Sequence, residues 1–69
     1  MDSRAIIYAR THRPDEYWLT LADAEQDCGP VAEVIRGGYD GERDVLVMAD
    51  GRTLVRLRMS ERAEILRNW

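Results

Sequence analysis

Any chemistry that needs a thiol or an imidazole depends on two residues, because Cys28 is the only cysteine and His12 the only histidine. A nucleophilic site requires a thiol or hydroxyl activated by a nearby base, and a metal site requires several ligands at a recognisable spacing. His12 lies between Thr11 and Arg13 near a turn, without a second ligand at such a spacing. We therefore expect His12 to be a solvent-facing loop residue, and we predict no metal site.

The segment Cys28-Gly29-Pro30 resembles the first three residues of the thioredoxin active-site turn, in which a helix N-terminus stabilises the cysteine thiolate. Val31 occupies the fourth position, so the resolving cysteine of a dithiol cycle is missing. Asp27 stands where a tryptophan is usual. We interpret the match as turn chemistry. A single cysteine also excludes an intramolecular disulfide, which favours a reducing compartment.

Paired carboxylates are the remaining catalytic candidates. Asp23 and Asp27 would lie one turn apart on a helix, a geometry compatible with acid–base chemistry or a hard cation, but equally common on solvated helix faces. A chain of 69 residues can hardly build both a core and a deep cleft. The sequence therefore predicts a protein that is not an enzyme and needs no cofactor.

Length and composition predict one globular domain over residues 1–69, since 45% of the residues are hydrophobic and 33% are charged. No stretch approaches the roughly 18 apolar residues of a membrane span, and the first residues do not resemble a signal peptide. We expect a cytoplasmic protein with no membrane partner. All ten basic residues are arginine and Phe is absent, which indicates a GC-rich bacterial or phage genome.

Two hairpins are predicted. Residues 4–10 and 17–21 are rich in β-favouring side chains and flank a turn that contains Pro14. Residues 44–49 and 52–58 flank an Asp-Gly pair, which is typical of a two-residue turn with both central residues at positive φ.

Alternation in the last predicted strand assigns its side chains to two faces. Leu54, Arg56 and Arg58 share one side, and Val55 and Leu57 lie on the other. We expect Val55 and Leu57 to face the core and the two arginines to face solvent.

The segment between the hairpins has three interpretations. We favour a short helix in which Gly29 is the N-cap, Pro30 is the first helical residue and Gly37-Gly38 ends the helix. An earlier helix over residues 21–27, started by a Thr20–Asp23 capping box, competes with it. A third interpretation makes Val31 to Ile35 a strand of a small barrel.

Ser60 could cap a final helix over residues 61–68. Together the elements predict a small α+β domain with an antiparallel sheet of about four strands in the order ββαββα and two short helices on one face. A small SH3-like β-barrel is the alternative architecture.

Charge is unevenly distributed along the chain, although the net charge is only −3. The middle of the sequence is acidic and both ends are basic. We predict a partner-binding surface formed by acidic residues, an arginine surface opposite it, and Trp69 as either a lid on the core or a docking anchor. The acidic set is Asp23, Glu25, Asp27, Asp40, Glu42 and Asp44, and the arginine set is Arg52, Arg56 and Arg58.

These features favour a non-catalytic protein-binding module. Small acidic inhibitors that are encoded by phages and mobile elements, anti-CRISPR proteins among them, have this size and composition. We therefore expect a protein that blocks a nucleic-acid-handling partner by occlusion. The alternative is a nucleic-acid-binding module that uses the arginine-rich C-terminal hairpin, although a pI near 5.0 weighs against it. Open sheet edges also favour a homodimer.

Overall fold

The fold is a five-stranded antiparallel sheet with two short helices, seen in a computed structural model that describes residues 4–69. The elements are β1 (Ile6–Arg10), β2 (Tyr17–Trp18), α1 (Leu21–Cys28), β3 (Val31–Ile35), β4 (Val45–Met48), β5 (Thr53–Arg58) and α2 (Met59–Arg67). The strand order is β2-β1-β5-β4-β3, so the sheet is open and is not an SH3-like barrel. The α+β class is confirmed and the four-strand count is wrong. Neither helix in this part of the chain is long and apolar enough to cross a membrane.

The segment around Gly29 differs from the favoured prediction. The Thr20 hydroxyl accepts the Asp23 amide at 3.1 Å and begins α1. Gly29, at φ 80°, ends α1 and donates its amide to the Glu25 carbonyl at 2.8 Å. The predicted helix starting at Pro30 is therefore wrong, because Gly29 caps a C-terminus. The earlier helix is right. The third interpretation is right about the strand, now β3, and wrong about the barrel to which it was assigned.

The two helices lie on opposite faces of the sheet, contrary to expectation. Adjacent residues of a strand point to opposite faces, and both sides of β5 are buried: Leu54 on one, Val55 and Leu57 on the other. Ile65 of α2 packs against one cluster and α1 contributes Ala24 to the second. These clusters are Ile7, Ala9, Val55 and Leu57 on the α2 face, and Ala24, Cys28, Met48 and Leu54 on the α1 face.

The β4–β5 hairpin forms as predicted, but its loop is one residue longer. Gly51 is at φ 95° and Asp50 is not at positive φ. The Gly51 amide donates to the Met48 carbonyl at 2.9 Å, and the Met48 amide donates to the Arg52 carbonyl at 2.8 Å. This is the pattern of a three-residue loop in which a turn is followed by a left-handed glycine.

Helix α2 follows β5 without a linker, and Arg58 rather than Ser60 is its N-cap. Arg62 then joins α2 to the loop between β1 and β2. Its Nε donates to the Pro14 carbonyl at 2.7 Å and its guanidinium donates to the Asp15 carbonyl at 3.1 Å. The guanidinium carbon also lies 4.1 Å from the centroid of the Tyr17 ring.

We expect Arg62→Ala to lower the free energy of unfolding by about 1–3 kcal/mol, because it leaves two loop carbonyls without their charged donor. Arg67→Ala is the matched control, since Arg67 is exposed and pairs only within α2, with Glu64 at 3.2 Å. Urea denaturation followed by circular dichroism measures both. Equal stability of the two variants would contradict this role for Arg62.

Candidate functional site

Helix α1 covers only one end of its face of the sheet, over Met48, Leu54 and Trp18. The side chains beyond it on the same face form a surface that we call the open half. Register places Ile6 opposite Arg58 and Tyr8 opposite Arg56. The open half consists of Ile6, Tyr8, Val34, Leu46, Arg56 and Arg58.

The two arginines of the open half have no acidic partner among residues 4–69. Arg56 and Arg58 are exposed, and no carboxylate of residues 4–69 lies within 4 Å of either guanidinium. The Arg56 guanidinium carbon lies 6.0 Å from the Tyr8 ring centroid, at the outer limit of a cation–π contact. The predicted outward orientation of Arg56 and Arg58 is confirmed.

Apolar side chains surround these arginines. Ile6 is 41% exposed and Val34 is 48% exposed, while Leu46 is half-buried between them and the core. Two depressions of about 380 and 400 Å³, both open to solvent, lie side by side here and share Arg43 and Arg56. The surface therefore combines exposed hydrocarbon with unpaired positive charge.

Arg43 forms the wall between the depressions and is held by two acidic residues. It pairs with Asp40 at 2.5 Å and with Glu61 of α2. Asp40 Oδ1 also accepts the amides of Glu42 at 2.9 Å and Arg43 at 2.8 Å, and these hydrogen bonds, the one from Arg43 foremost, lower the pKa of Asp40. Asp44 accepts the Gly37 amide at 3.0 Å. Asp40 and Asp44 thus organise the β3–β4 loop.

The six acidic residues predicted to form one surface occupy two separate places. Asp23, Glu25 and Asp27 belong to α1, whereas Asp40, Glu42 and Asp44 lie in the β3–β4 loop. Strand β3 begins next to the C-terminus of α1 and runs away from it, so its length separates the two groups. On the outer side of α1, Asp23 and Asp27 are exposed, and Asp27 accepts the Trp18 indole N–H at 2.8 Å.

Arg52 does not join Arg56 and Arg58. Its Nε donates to Asp50 at 2.6 Å and its Nη2 donates to the Asp27 carbonyl at 3.1 Å. The side-chain hydrogen bond with Asp50 raises the pKa of Arg52, and the hydrogen bond from the Arg52 amide lowers the pKa of Asp50. Its guanidinium carbon lies 5.7 Å from the Trp18 ring centroid, so Arg52 fastens α1 to the β4–β5 turn.

Trp69 is 65% exposed at the end of α2. A lid on the core would be buried, so the lid interpretation is wrong. Docking through Trp69 stays a prediction.

The thiol and the imidazole lie on different faces of the sheet. Cys28 is 1% exposed in the cluster beneath α1, and burial raises its pKa, which favours the neutral thiol. His12 is exposed and lines a third depression with Thr53 and Tyr39 on the α2 face. In the described part of the chain no group of three or more potential ligands is placed to hold a metal ion.

Sequence reasoning missed the apolar part of the open half. Ile6, Val34 and Leu46 belong to three different strands, and only the pairing of β1 with β5 and of β3 with β4 brings them beside the arginines. The one available signal was the spacing of Ile6 and Tyr8, which predicts a shared face.

Compared with known proteins, the chain matches no family model, no curated protein and no solved structure. Its own side chains and their geometry therefore carry the functional argument.

We expect Cys28 to react with iodoacetamide at least about tenfold more slowly in the folded protein than in guanidinium chloride, because its thiol is buried and its pKa is raised. Mass spectrometry of the alkylated chain over time gives the two rates. Fast labelling of the folded protein would instead indicate a reactive thiolate and reopen a catalytic role.

Proposed function

We propose that this chain is a non-catalytic protein-binding module whose contact surface is the open half. One observation carries the proposal: Arg56 and Arg58 stand exposed, without a carboxylate partner in the described part of the chain, beside the exposed side chains of Ile6 and Val34.

The composition of the open half supports a protein partner. Arginine and tyrosine are enriched in protein interfaces and among the residues that contribute most to affinity, and the buried centre of an interface is more apolar than its rim. A planar guanidinium pairs with a carboxylate through two parallel hydrogen bonds, so Arg56 and Arg58 favour an acidic partner segment. The partner would thus place carboxylates on the arginines and apolar side chains on Ile6 and Val34.

A nucleic-acid partner is the second candidate, supported by the position of Tyr8 next to Arg56 on an antiparallel sheet. Aromatic and arginine side chains on such a sheet can stack bases and bind phosphates. Three acidic residues border the depressions, namely Glu42, Asp44 and Glu61. They oppose the dense, regular charge of a phosphate backbone more strongly than the few carboxylates of a protein partner. Since Arg52 is also paired with Asp50, the protein partner is favoured.

Binding through the open half would act by occlusion, since the chain presents a side-chain surface and no catalytic group there. The narrower hypothesis of a cytoplasmic phage-type inhibitor of a nucleic-acid-handling protein stays a prediction. It would require the partner's acidic segment to be part of the surface that the inhibitor covers.

The test compares immobilised wild-type protein with the double variant Arg56→Ser/Arg58→Ser in capture from nuclease-treated bacterial extract. The wild type should retain a protein that the double variant loses at least about tenfold, because both carboxylate-binding groups are gone. Arg67→Ser is the control, since Arg67 is exposed on α2, which covers the opposite face of the sheet. Quantitative mass spectrometry of the retained proteins is the measurement.

Fluorescence anisotropy with a labelled oligothymidine distinguishes the second candidate. The protein-binding proposal predicts no binding at physiological salt. Tight binding that weakens steeply with salt and is lost in the double variant would support nucleic acid instead. Identical retention by the wild type and the double variant would refute the open half as the contact surface.

A further inference from the structure

We infer that a second copy of this chain occupies the open half, with α1 of each copy lying on the open half of the other. The inference rests on the proposed binding surface and names an occupant for it. Helix α1 and the open half share one face of the sheet. The helix is acidic and stands above the sheet, whereas the open half is basic and uncovered.

The shape of this face is self-complementary. Helix α1 has eight residues, so it is about 12 Å long, and a helix with its side chains is about 10 Å thick. It therefore stands as a step at one end of the face. A two-fold axis parallel to the sheets, along the edge of that step, would place α1 of each copy over the partner's open half. The two α1 helices would then form one layer between two sheets.

The charges of the two surfaces are opposite. Helix α1 contains three acidic residues and no basic residue, and Asp23 and Asp27 are exposed on its outer side. The Asp23 carboxylate has no basic partner among the described residues. In a two-fold dimer each copy contributes both surfaces, so the contact of Asp23 and Asp27 with Arg56 and Arg58 would occur twice.

The size of the face suits a dimer. The two longer axes of the molecule measure 29 and 25 Å, so the projected area of one whole face is close to the roughly 800 Å² per partner of a standard interface, and a dimer would use nearly all of that face. Association would cover Ile6 and Val34, whose exposed hydrocarbon otherwise contacts water. The apolar contacts would supply affinity and the charges would fix the orientation.

The free edge of β3 is a less suitable dimer surface. Its Val34 and Ile35 are exposed, but the register shifts between Val31 and Glu33. The bulge and the charge of Glu33 on this edge strand both oppose the addition of another strand.

Sedimentation velocity of the full chain, at rising protein concentration, tests the inference. The wild type should convert from 8.0 kDa to a species of twice that mass, and added salt should weaken the conversion. Arg56→Asp/Arg58→Asp and Asp23→Arg/Asp27→Arg should each raise the dimer dissociation constant at least about tenfold, because like charges then meet.

Mixing the two charge-reversed variants is the decisive step. In the mixed dimer every reversed residue faces a residue of opposite charge, so the mixture should recover association that neither variant shows alone. Glu33→Arg and Glu33→Ser are matched controls on β3 and should dimerise like the wild type, because Glu33 pairs with Val47 and lies off the open half. Circular dichroism verifies that each variant is folded, and an unfolded pair is replaced by Arg56→Ser/Arg58→Ser and Asp23→Ser/Asp27→Ser.

Three outcomes would overturn the inference: a monomer at every concentration, a dimer unaffected by both reversals, or a dimer broken by the β3 controls. The proposed function is judged separately. The Asp23→Arg/Asp27→Arg variant keeps the open half, so it should be monomeric yet still retain the captured partner. If the wild type captures a protein through Arg56 and Arg58 but does not self-associate, only the dimer is refuted. If it self-associates but captures no protein that depends on Arg56 and Arg58, only the external partner is refuted.

Discussion

Burial of both sides of β5 is the constraint on which the rest of the structure depends. Leu54 points to one face, and Val55 and Leu57 point to the other, so each face needs cover. Two helices of eight and nine residues supply it, one per face, and neither is long enough to cover its whole face. The open half is the part of the α1 face that the helix leaves uncovered. Its chemistry is decided by the strand residues whose side chains point to that face.

Local signals predicted much of the fold. The alternation of β5, the Asp-Gly hairpin and the Thr20–Asp23 cap each depend on residues close in sequence. The structure confirms the alternation and the hairpin, though not its two-residue turn, and it confirms the cap, which belonged to a competing interpretation. The choice between helix and strand after Gly29 could not be made in this way, because glycine serves both as an N-cap and as a C-terminal cap. Backbone pairing with β4 decides it. The open half could not be predicted either, because strand pairing assembles it from residues that are far apart in sequence.

Four of the nine charged residues singled out from the sequence make local contacts through their side chains: Asp27, Asp40, Asp44 and Arg52. Asp40 and Asp44 accept backbone amides of the β3–β4 loop, and Arg52 joins α1 to a turn. A count of charges along the chain cannot separate such residues from unpaired ones, because a pairing distance is a property of the fold. Once local pairs are set aside, Arg56 and Arg58 remain on one half of the α1 face, with Asp23 on the other half.

The direct passage from β5 into α2 has a consequence for the entropy of binding. The Arg58 amide donates to one oxygen of Glu61 at 2.9 Å, and the other oxygen of Glu61 pairs with Arg43. Strand end, helix start and the β3–β4 loop are thereby tied at a single carboxylate. The backbone that carries Arg58 is ordered before any ligand arrives, so association need immobilise little more than the arginine side chains, and less conformational freedom is lost than at a surface built on loose loops.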